Sequence, residues 1–413
     1  MKKMQFSVIF AAALVIFALV LGSCADLEED GYGYVLAYDC ELDMEMWLKI
    51  LEDTANDGRY ITLNLKNCTY VEDNKFGGLI KVEITDGTAS EEYIALDAFP
   101  AIGWGKDRIL AIILPDAVQM VNSGTRREDL DEEGEIIEII EAAFRNFKNL
   151  RSVSGANVRH IGKYAFTDCE SLREINFPRV GHTVTDTELA DQNNDMSSGF
   201  RIDIGHFAFK GCTGLTSVTF NSAAVVGRSA FKGCTGLTKV NFPVAWMVAQ
   251  SAFEGCKNLT EVRFESATKI GNEAFKDCIR LKKAYFDANP VKLSVSPIVA
   301  SEPVYDSVIF YDAVFSGCSS LQLLDIRPAW NVFFCNNALE KTGKTIDVYL
   351  SDSSSGFGHP QLHNFLGDGE NITLEEINFY ASDTTKISTG SGIANFVESM
   401  YSGIDVNVNE ISR

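Results

Sequence analysis

A short motif, Ala-Phe followed by Cys and then Leu, recurs through the middle of this chain at a spacing of 22 residues. Successive phenylalanines of the motif are 22, 43, 22, 22, 22 and 40 residues apart, so each long gap is one repeat plus an insertion. They are Phe144, Phe166, Phe209, Phe231, Phe253, Phe275 and Phe315. A unit this small cannot bury its own apolar face and must stack on its neighbours. The period therefore predicts a solenoid.

Each position of the unit has a predicted structural role. The Leu-x-x-Val-x-Phe part has the alternation of a short strand whose Val and Phe point inward, and Ala-Phe lies on the return segment. The glycines that precede the return segment are predicted at turns, where a residue free to take positive φ is useful. They are Gly162, Gly205, Gly227 and Gly271.

Cysteine usage follows the repeat. Six of the ten cysteines fall three residues after the motif phenylalanine: Cys169, Cys212, Cys234, Cys256, Cys278 and Cys318. A periodic inward position suits a small buried hydrophobe, so we expect a column of reduced, packed thiols. Cysteines of stacked units would lie about one strand spacing apart, so distance alone does not exclude disulfides between neighbouring units. No cysteine or histidine pair has the spacing of a metal site. Cys40, Cys68 and Cys335 lie outside the column, and Cys40 with Cys68 is the first pair to test for a bridge.

The N-terminus is predicted to be a bacterial lipoprotein signal. Lys2 and Lys3 precede an apolar run that ends in Leu-Gly-Ser-Cys at residues 21–24. The run is marginal for spanning a bilayer, and the basic start and small residues before Cys24 fit a cleaved signal. The tetrapeptide resembles a lipobox, which implies that Cys24 becomes the lipidated first residue. Several acyl chains give stable anchoring, so the body is expected outside the cytoplasm.

Charge limits the choice of partner. The formal net charge is −21, and residues 1–23 carry two lysines and no acid, so removing them leaves −23. A surface this negative repels nucleic acid and anionic lipid headgroups. With 46% hydrophobic residues the chain has ample material for a core, so the acid excess is a surface property.

The chain divides by how well it follows the repeat. We predict a signal peptide at 1–23, a lipidated tether at 24–38, an N-terminal cap at 39–109, a solenoid at 110–335 and a C-terminal cap or appended unit at 336–413. Helical spacing near residues 42–53 and strand alternation at 60–65 suit the N-terminal cap. Polar or proline-rich insertions interrupt the solenoid near 181–201 and 288–307, and loops of such length are often functional.

The pattern IGxxAFxxCxxLxxVxF resembles the BspA-like, or treponemal-type, leucine-rich repeat. Three units replace the turn glycine with Ile140, Ala249 and Tyr311, Phe147 replaces one cysteine, and Val314 replaces one alanine. The resemblance implies an α/β-type solenoid, capped at both ends, with short parallel strands on its concave face. Members are typically bacterial surface proteins, several of them adhesins towards host matrix proteins, host cells or other bacteria.

The outward strand positions supply the candidate binding residues. They are Glu174, Asn176, Ser217, Thr219, Lys239, Asn241, Glu261, Arg263, Lys283 and Tyr285. Interfaces favour aromatic and arginine anchors, and Arg263 and Tyr285 are the two here. We predict a protein-binding groove at Lys239, Asn241, Glu261, Arg263, Lys283 and Tyr285, against the alternative of a solvated face with scattered charges.

Catalytic, cofactor and metal motifs are not expected. The five histidines lack zinc spacing, and no phosphate-binding loop occurs. Asp129–Gly134 begins like a calcium loop, but its twelfth position is Ile140 and not the required Glu. We therefore expect no enzyme activity, no cofactor and no metal. The predicted function is a lipid-anchored, outer-membrane, surface-exposed adhesin-like protein that binds host or bacterial proteins. The alternative is a periplasm-facing structural lipoprotein.

Overall fold

The structure is a computed structural model. It describes residues 34–72, 74, 78–85, 90–96, 105–121, 126–130, 136–140, 143–181, 203–286, 307–327, 331–350, 366, 372–381, 384, 388, 393–401 and 403–411. The predicted signal peptide, Cys24, most of the tether and nearly all of both predicted insertions lie outside these residues.

The first half of the chain begins with strand β1, Tyr34–Ala37, and helix α1, Met44–Asp57. The strands that follow are β2 Ile61–Asn64, β3 Leu79–Thr85, β4 Ser90–Leu96, β5 Ile109–Ile113, β6 Met120–Val121, β7 Arg126–Leu130, β8 Ile136–Ile140, β9 Ser152–Ser154, β10 His160–Ile161 and β11 Glu174–Asn176. Helix α1 begins after Asp43, whose carboxylate accepts a hydrogen bond from the Met46 amide at 2.8 Å, and ends at Gly58 with φ 73°. It buries Trp47, Ile50 and Leu51.

The second half consists almost entirely of short strands. They are β12 Ser217–Thr219, β13 Val225–Val226, β14 Lys239–Asn241, β15 Met247–Val248, β16 Glu261–Phe264, β17 Lys269–Ile270, β18 Lys283–Phe286, β19 Ser307–Phe310, β20 Leu323–Asp325, β21 Asn331–Phe334, β22 Thr345–Tyr349, β23 Glu376–Ala381 and β24 Asp405–Glu410. Helix α2, Ile393–Met400, precedes the final strand.

The strands stack coil on coil in parallel. One five-stranded sheet has the order β1-β2-β5-β9-β11, and an eight-stranded sheet continues beside it as β12-β14-β16-β18-β20-β22-β23-β24. Both contain the Leu-x-x-Val-x-Phe strands. On the return side, β13, β15, β17, β19 and β21 form a second parallel stack, and β3–β4 and β7–β8 are the antiparallel pairs. Two of the three strands after residue 336, β22 and β23, extend the sheet with inward residues as well buried as those of the repeats.

A column of stacked rings fills the interior. The seven motif phenylalanines are all fully buried, and neighbouring ring centroids lie 5.1 to 5.6 Å apart with interplanar angles below 20°. A second column runs beside it through Phe220, Phe242, Phe264 and Phe286. Burying one large apolar side chain contributes about 1.5 to 3 kcal/mol, so the two columns are a principal source of stability.

The cysteine column is buried and reduced, as predicted. All six thiols are fully buried, and each sulfur donates to the carbonyl oxygen of the motif phenylalanine in the preceding coil at 2.9 to 3.2 Å. The thiols therefore hold one coil to the next through the backbone and do not pair with one another.

The prediction of positive φ at the turn glycines is wrong. None of Gly162, Gly205, Gly227 and Gly271 has positive φ. A Cβ added to Gly227 would lie 2.5 Å from the Ile204 carbonyl oxygen, so this glycine is needed for close approach between coils. Positive φ occurs at two other positions of the unit. One lies two residues after the motif phenylalanine, at Asn146, Asp168, Gly211, Gly233, Gly255, Asp277 and Gly317, and the other lies two residues before it, at Tyr164, Phe207, Ser229, Ser251, Glu273 and Ala313.

Candidate protein-binding surface

The outward side chains of the eight-stranded sheet form two rows across the strands, and we call these rows the leucine-strand face. Pairing between strands fixes the order in each row. The first row is Ser217, Lys239, Glu261, Lys283, Leu323, Asp347, Asn378 and Asn407. The second is Thr219, Asn241, Arg263, Tyr285, Asp325, Tyr349, Tyr380 and Asn409. Glu174 and Asn176 lie on β11, at the end of the neighbouring sheet.

The six predicted binding residues come together on three adjacent strands. Lys239 and Asn241 lie on β14, Glu261 and Arg263 on β16, and Lys283 and Tyr285 on β18. Glu261 is in register with a lysine on either side, and its carboxylate is 3.9 Å from the Arg263 guanidinium. The three cations thus surround one carboxylate, and this part of the face is cationic on a strongly acidic protein.

Arg263 and Tyr285 form a cation–π pair. The guanidinium carbon lies 4.0 Å from the centroid of the tyrosine ring, and the two residues are directly in register. The arginine side chain remains 52% exposed. An exposed contact of this kind contributes about 0.5 to 1 kcal/mol and restricts the rotamers of both side chains. The contact therefore favours one relative arrangement of the two anchors expected from sequence, and the arginine remains open to solvent.

A second group of anchors lies further along the same row. The Arg327 guanidinium donates two hydrogen bonds to the Asp325 carboxylate, at 2.9 and 2.7 Å, and lies 4.7 Å from the centroid of the Tyr349 ring. Tyr349 stacks in turn on Tyr380, with centroids 4.6 Å apart and planes at 10°. The aromatic and arginine side chains thus continue from β16 to β23.

Sequence reasoning missed this second group because the repeat fades after Trp330. The alternation of residues 346–350 predicts one more strand, but the intervals to β23 and β24 do not keep the 22-residue period. The available signal was the match between two alternating segments, Ile346 to Tyr349 and Ile377 to Tyr380, which pair residue for residue.

Charge on the leucine-strand face is divided along the solenoid. The cations Lys239, Arg263 and Lys283 are followed by the acids Asp325 and Asp347, and Glu376 and Asp405 lie on the same side of β23 and β24, beside the two rows. Amide side chains order part of the acidic end: Asn378 donates to Asp347 at 3.0 Å, and Asn407 donates to Glu376 at 3.0 Å. A partner that covers the face would meet positive charge at one end and negative charge at the other.

A separate cation–aromatic stack lies on the outer turns. Tyr164 and Phe207 stack with centroids 4.9 Å apart, Arg145 lies 6.0 Å from the first ring, and Arg228 lies 5.9 Å from the second. Both aromatic residues have φ of 59°, which is unusual for bulky side chains. The same position has positive φ in the later coils, at Ser229, Ser251, Glu273 and Ala313, so this conformation belongs to the repeat.

The buried polar groups have structural roles. His160 Nδ1 and Asp203 Oδ1 are 4.0 Å apart in the interior, and the other oxygen of Asp203 accepts the backbone amide of Ala224 at 2.6 Å. Burial, with the charges of Lys163 and Arg228, lowers the pKa of His206 to about 4. The described residues contain no group of three or more potential metal ligands. Among the same residues, neither helix is long and apolar enough to cross a bilayer.

Comparison with known proteins identifies the class of the repeats. Residues 123–197 and 192–296 match the BspA type leucine rich repeat region, in six copies. Together with the parallel stacked strands, this confirms the predicted fold class and the predicted repeat type. Residues 123–296 are therefore leucine-rich repeats of the BspA type, and repeats of that type generally mediate binding between proteins.

Three solved structures illustrate the similarity. The leucine rich repeat protein TpLRR of T. pallidum is 19% identical, with 64% of this chain and 86% of that one covered and a TM-score of 0.33. A leucine-rich repeat protein from Bacteroides ovatus is 16% identical, with coverages of 82% and 100% and a TM-score of 0.28. The pneumococcal vaccine antigen PcpA is 11% identical, with coverages of 100% and 98% and a TM-score of 0.32. No curated protein matches the chain.

Proposed function

We propose that this chain is an exported lipoprotein, anchored through Cys24 and exposed on the outer membrane, that binds a protein partner through its leucine-strand face. The observation that carries the proposal is the continuous line of ordered, solvent-accessible arginine and tyrosine side chains on that face. Arg263 contacts Tyr285, and Arg327 contacts Tyr349, which stacks on Tyr380. Arginine and tyrosine are the residues most enriched among energetic anchors of protein interfaces.

Preorganisation is the physical reason for choosing this face. Fixing a long side chain on binding costs about 0.5 to 1.5 kcal/mol of conformational entropy. The contact with Tyr285 already restricts Arg263, and the two hydrogen bonds that Arg327 donates to Asp325 already restrict Arg327. A partner therefore meets side chains that lose little freedom when they are buried.

The division of charge specifies the partner's orientation. A complementary surface would place acidic groups opposite Lys239, Arg263 and Lys283, and basic groups opposite Asp347 and Glu376. Reversing the partner would bring like charges together, which costs several kcal/mol at an interface. Host matrix proteins, host cell proteins and the surfaces of other bacteria are the partner classes to which the resemblance points, and the net charge of −21 argues against nucleic acid.

Anchoring rests on the N-terminal sequence. Replacing Cys24 with alanine would remove the only acylation point that the lipobox-like sequence offers. We expect C24A to leave the membrane fraction and to lose incorporation of labelled fatty acid. A variant that stayed acylated and membrane-bound would contradict the role of Cys24.

The periplasm-facing scaffold is the alternative, and cell shaving separates the two. Protease added to intact cells would degrade a surface-exposed body and spare a periplasmic one, with lysed cells as the control for susceptibility. Survival of the protein on intact cells, together with degradation after lysis, would exclude the adhesin-like function.

The binding face is tested with two matched variants of the full chain. Matrix and envelope proteins would first be screened for capture by the wild type. In the test variant, Lys239, Arg263, Lys283 and Tyr285 become alanine. In the control, Lys210, Arg228, Lys257 and Phe207 become alanine on other surfaces, which removes the same number of cations and one aromatic ring. We expect the test variant to lose at least about tenfold in affinity and the control to lose less than about threefold. Equal affinities of the wild type and the test variant would refute binding through the leucine-strand face.

A further inference from the structure

Cys40 and Cys68 face each other in the first two coils. Their sulfur atoms are 3.4 Å apart. The two segments that carry them are held side by side, because the Thr69 amide donates to the Cys40 carbonyl at 2.9 Å and the Leu42 amide donates to the Thr69 carbonyl at 2.9 Å. Glu41 and Thr69 form a parallel bridge between the same segments. The backbone therefore fixes the two thiols at a position where a small rotation would bond them.

The other described thiols differ from this pair. The six sulfurs of the cysteine column donate to backbone carbonyl oxygens and are fully buried. Cys335 is half-buried and contacts no other thiol among the residues that the structure describes. Within those residues, Cys40 and Cys68 are the one pair of thiols in direct contact, and Cys40 is partly open to solvent.

We propose that Cys40 and Cys68 form an intramolecular disulfide when the chain is exported. The inference rests on the export part of the proposed function, because disulfides persist in oxidising compartments. The oxidant belongs to the class of thiol–disulfide oxidoreductases. The Cys40 thiolate attacks one sulfur of the oxidoreductase disulfide, which makes a mixed disulfide and releases the other oxidoreductase sulfur.

The second step closes the bond. Cys68 loses its proton and attacks the Cys40 sulfur, the mixed disulfide breaks, and the oxidoreductase leaves as a dithiol that carries the two protons. Two electrons pass from the pair to the oxidoreductase. The order of attack follows the local chemistry: the hydrogen bond from Cys68 lowers the pKa of Cys40, while that bond and burial raise the pKa of Cys68.

The bond would fasten the end of the solenoid. Among the strands that the structure describes, β1 pairs with β2 alone, whereas β2, β5 and β9 each have a neighbour on both sides. Terminal coils of a solenoid open first because each coil is stabilised by its neighbours. A link from residue 40 to residue 68 ties the coil of β1 and α1 to the coil of β2, so the first two coils would open together.

The test compares the exported full chain with the same chain purified under reducing conditions and then exposed to glutathione disulfide. Free thiols are alkylated in denaturant, and digestion at Lys and Glu separates Cys24, Cys40 and Cys68 for mass spectrometry. We expect a peptide linked through Cys40 and Cys68 in both samples, unchanged in Cys335→Ser. In Cys68→Ser, Cys40 should be alkylated.

The two samples separate failure of the pairing from failure of export. A link that forms with glutathione disulfide but not in cells supports the pairing and counts against export. Alkylation of both thiols after glutathione disulfide treatment would overturn the pairing. In the linked protein, native trypsin cleavage at Lys49 and Arg59 should slow roughly tenfold relative to Cys40→Ser, and reductant should abolish the difference. Equal cleavage rates would overturn the fastening role.

Discussion

Replacing Phe231 with alanine would remove one ring from the middle of the phenylalanine column. Phe231 is fully buried, with its centroid 5.1 Å from that of Phe209 and 5.2 Å from that of Phe253, and it meets Phe242 edge-on at 6.0 Å. Truncating a buried phenylalanine costs about 3 to 5 kcal/mol in unfolding free energy. Each ring pair adds about 0.5 to 1.5 kcal/mol beyond the buried area.

We place the expected loss towards the upper end of that range, at about 4 to 5 kcal/mol. The cavity cannot close easily, because backbone hydrogen bonds hold the coils on both sides. The Phe209 amide donates to the Ala230 carbonyl oxygen and the Phe231 amide donates to the Ala252 carbonyl oxygen, both at 2.7 Å. The neighbouring rings are fixed by their own stacks, so they cannot move into the space.

Urea unfolding of wild type and F231A, with amide hydrogen exchange as a local probe, measures the effect. Phe231→Leu is the matched control, because it keeps an apolar side chain of similar reach and should lose less than half as much. Thr219→Ala, on the outward face, should stay within about 0.5 kcal/mol. Exchange should rise most in the coils beside Phe231, since each coil is stabilised by its neighbours. A loss below about 1 kcal/mol would refute the reasoning, because it would mean that the ring is not buried in a stack.

Two further predictions concern glycines and thiols. Gly227→Ala should lower the melting temperature more than Gly233→Ala. A Cβ at Gly227 would lie 2.5 Å from the Ile204 carbonyl oxygen, whereas the nearest atom to a Cβ at Gly233 is 4.0 Å away and only the positive φ of Gly233 opposes the substitution. Burial raises the pKa of Cys234, so its stabilising effect is complete below the thiol pKa of the unfolded chain, about 8.5, and is lost as pH rises. Between pH 8 and 10 the free energy of unfolding measured in urea should fall by about 2 kcal/mol less in Cys234→Ala than in the wild type, and equal declines would contradict this.

The repeat could be recognised from sequence because each position of the unit packs in the same way in every coil. Phenylalanine every 22 residues indicates a stack of rings, and cysteine three residues later indicates a column of small buried side chains. These positions face the interior, where shape restricts the choice of residue. The six predicted binding residues were likewise placed on one face, because alternation along a strand fixes which side chains point outward.

The parts that sequence missed depend on contacts between coils. The role of Gly227 is set by the backbone of the preceding coil, which no local pattern contains, and the positive φ falls at Gly233 instead. The stack of Tyr349 on Tyr380 requires β22 and β23 to be neighbours, and the separation of 31 residues, which differs from the repeat period, hides that pairing. Binding of a partner by these residues stays a prediction.

The phenylalanine column crosses both long gaps without change. Phe166 and Phe209 are 43 residues apart in sequence yet stack at 5.2 Å, and Phe275 and Phe315 are 40 apart yet stack at 5.6 Å. The packing of the core is therefore independent of the length of the connection between two coils. A lineage could lengthen a connection, or copy one whole 22-residue unit in frame, without redesigning the interior. The outward binding residues could then change as readily as other surface residues, while the packing of the solenoid interior stayed the same.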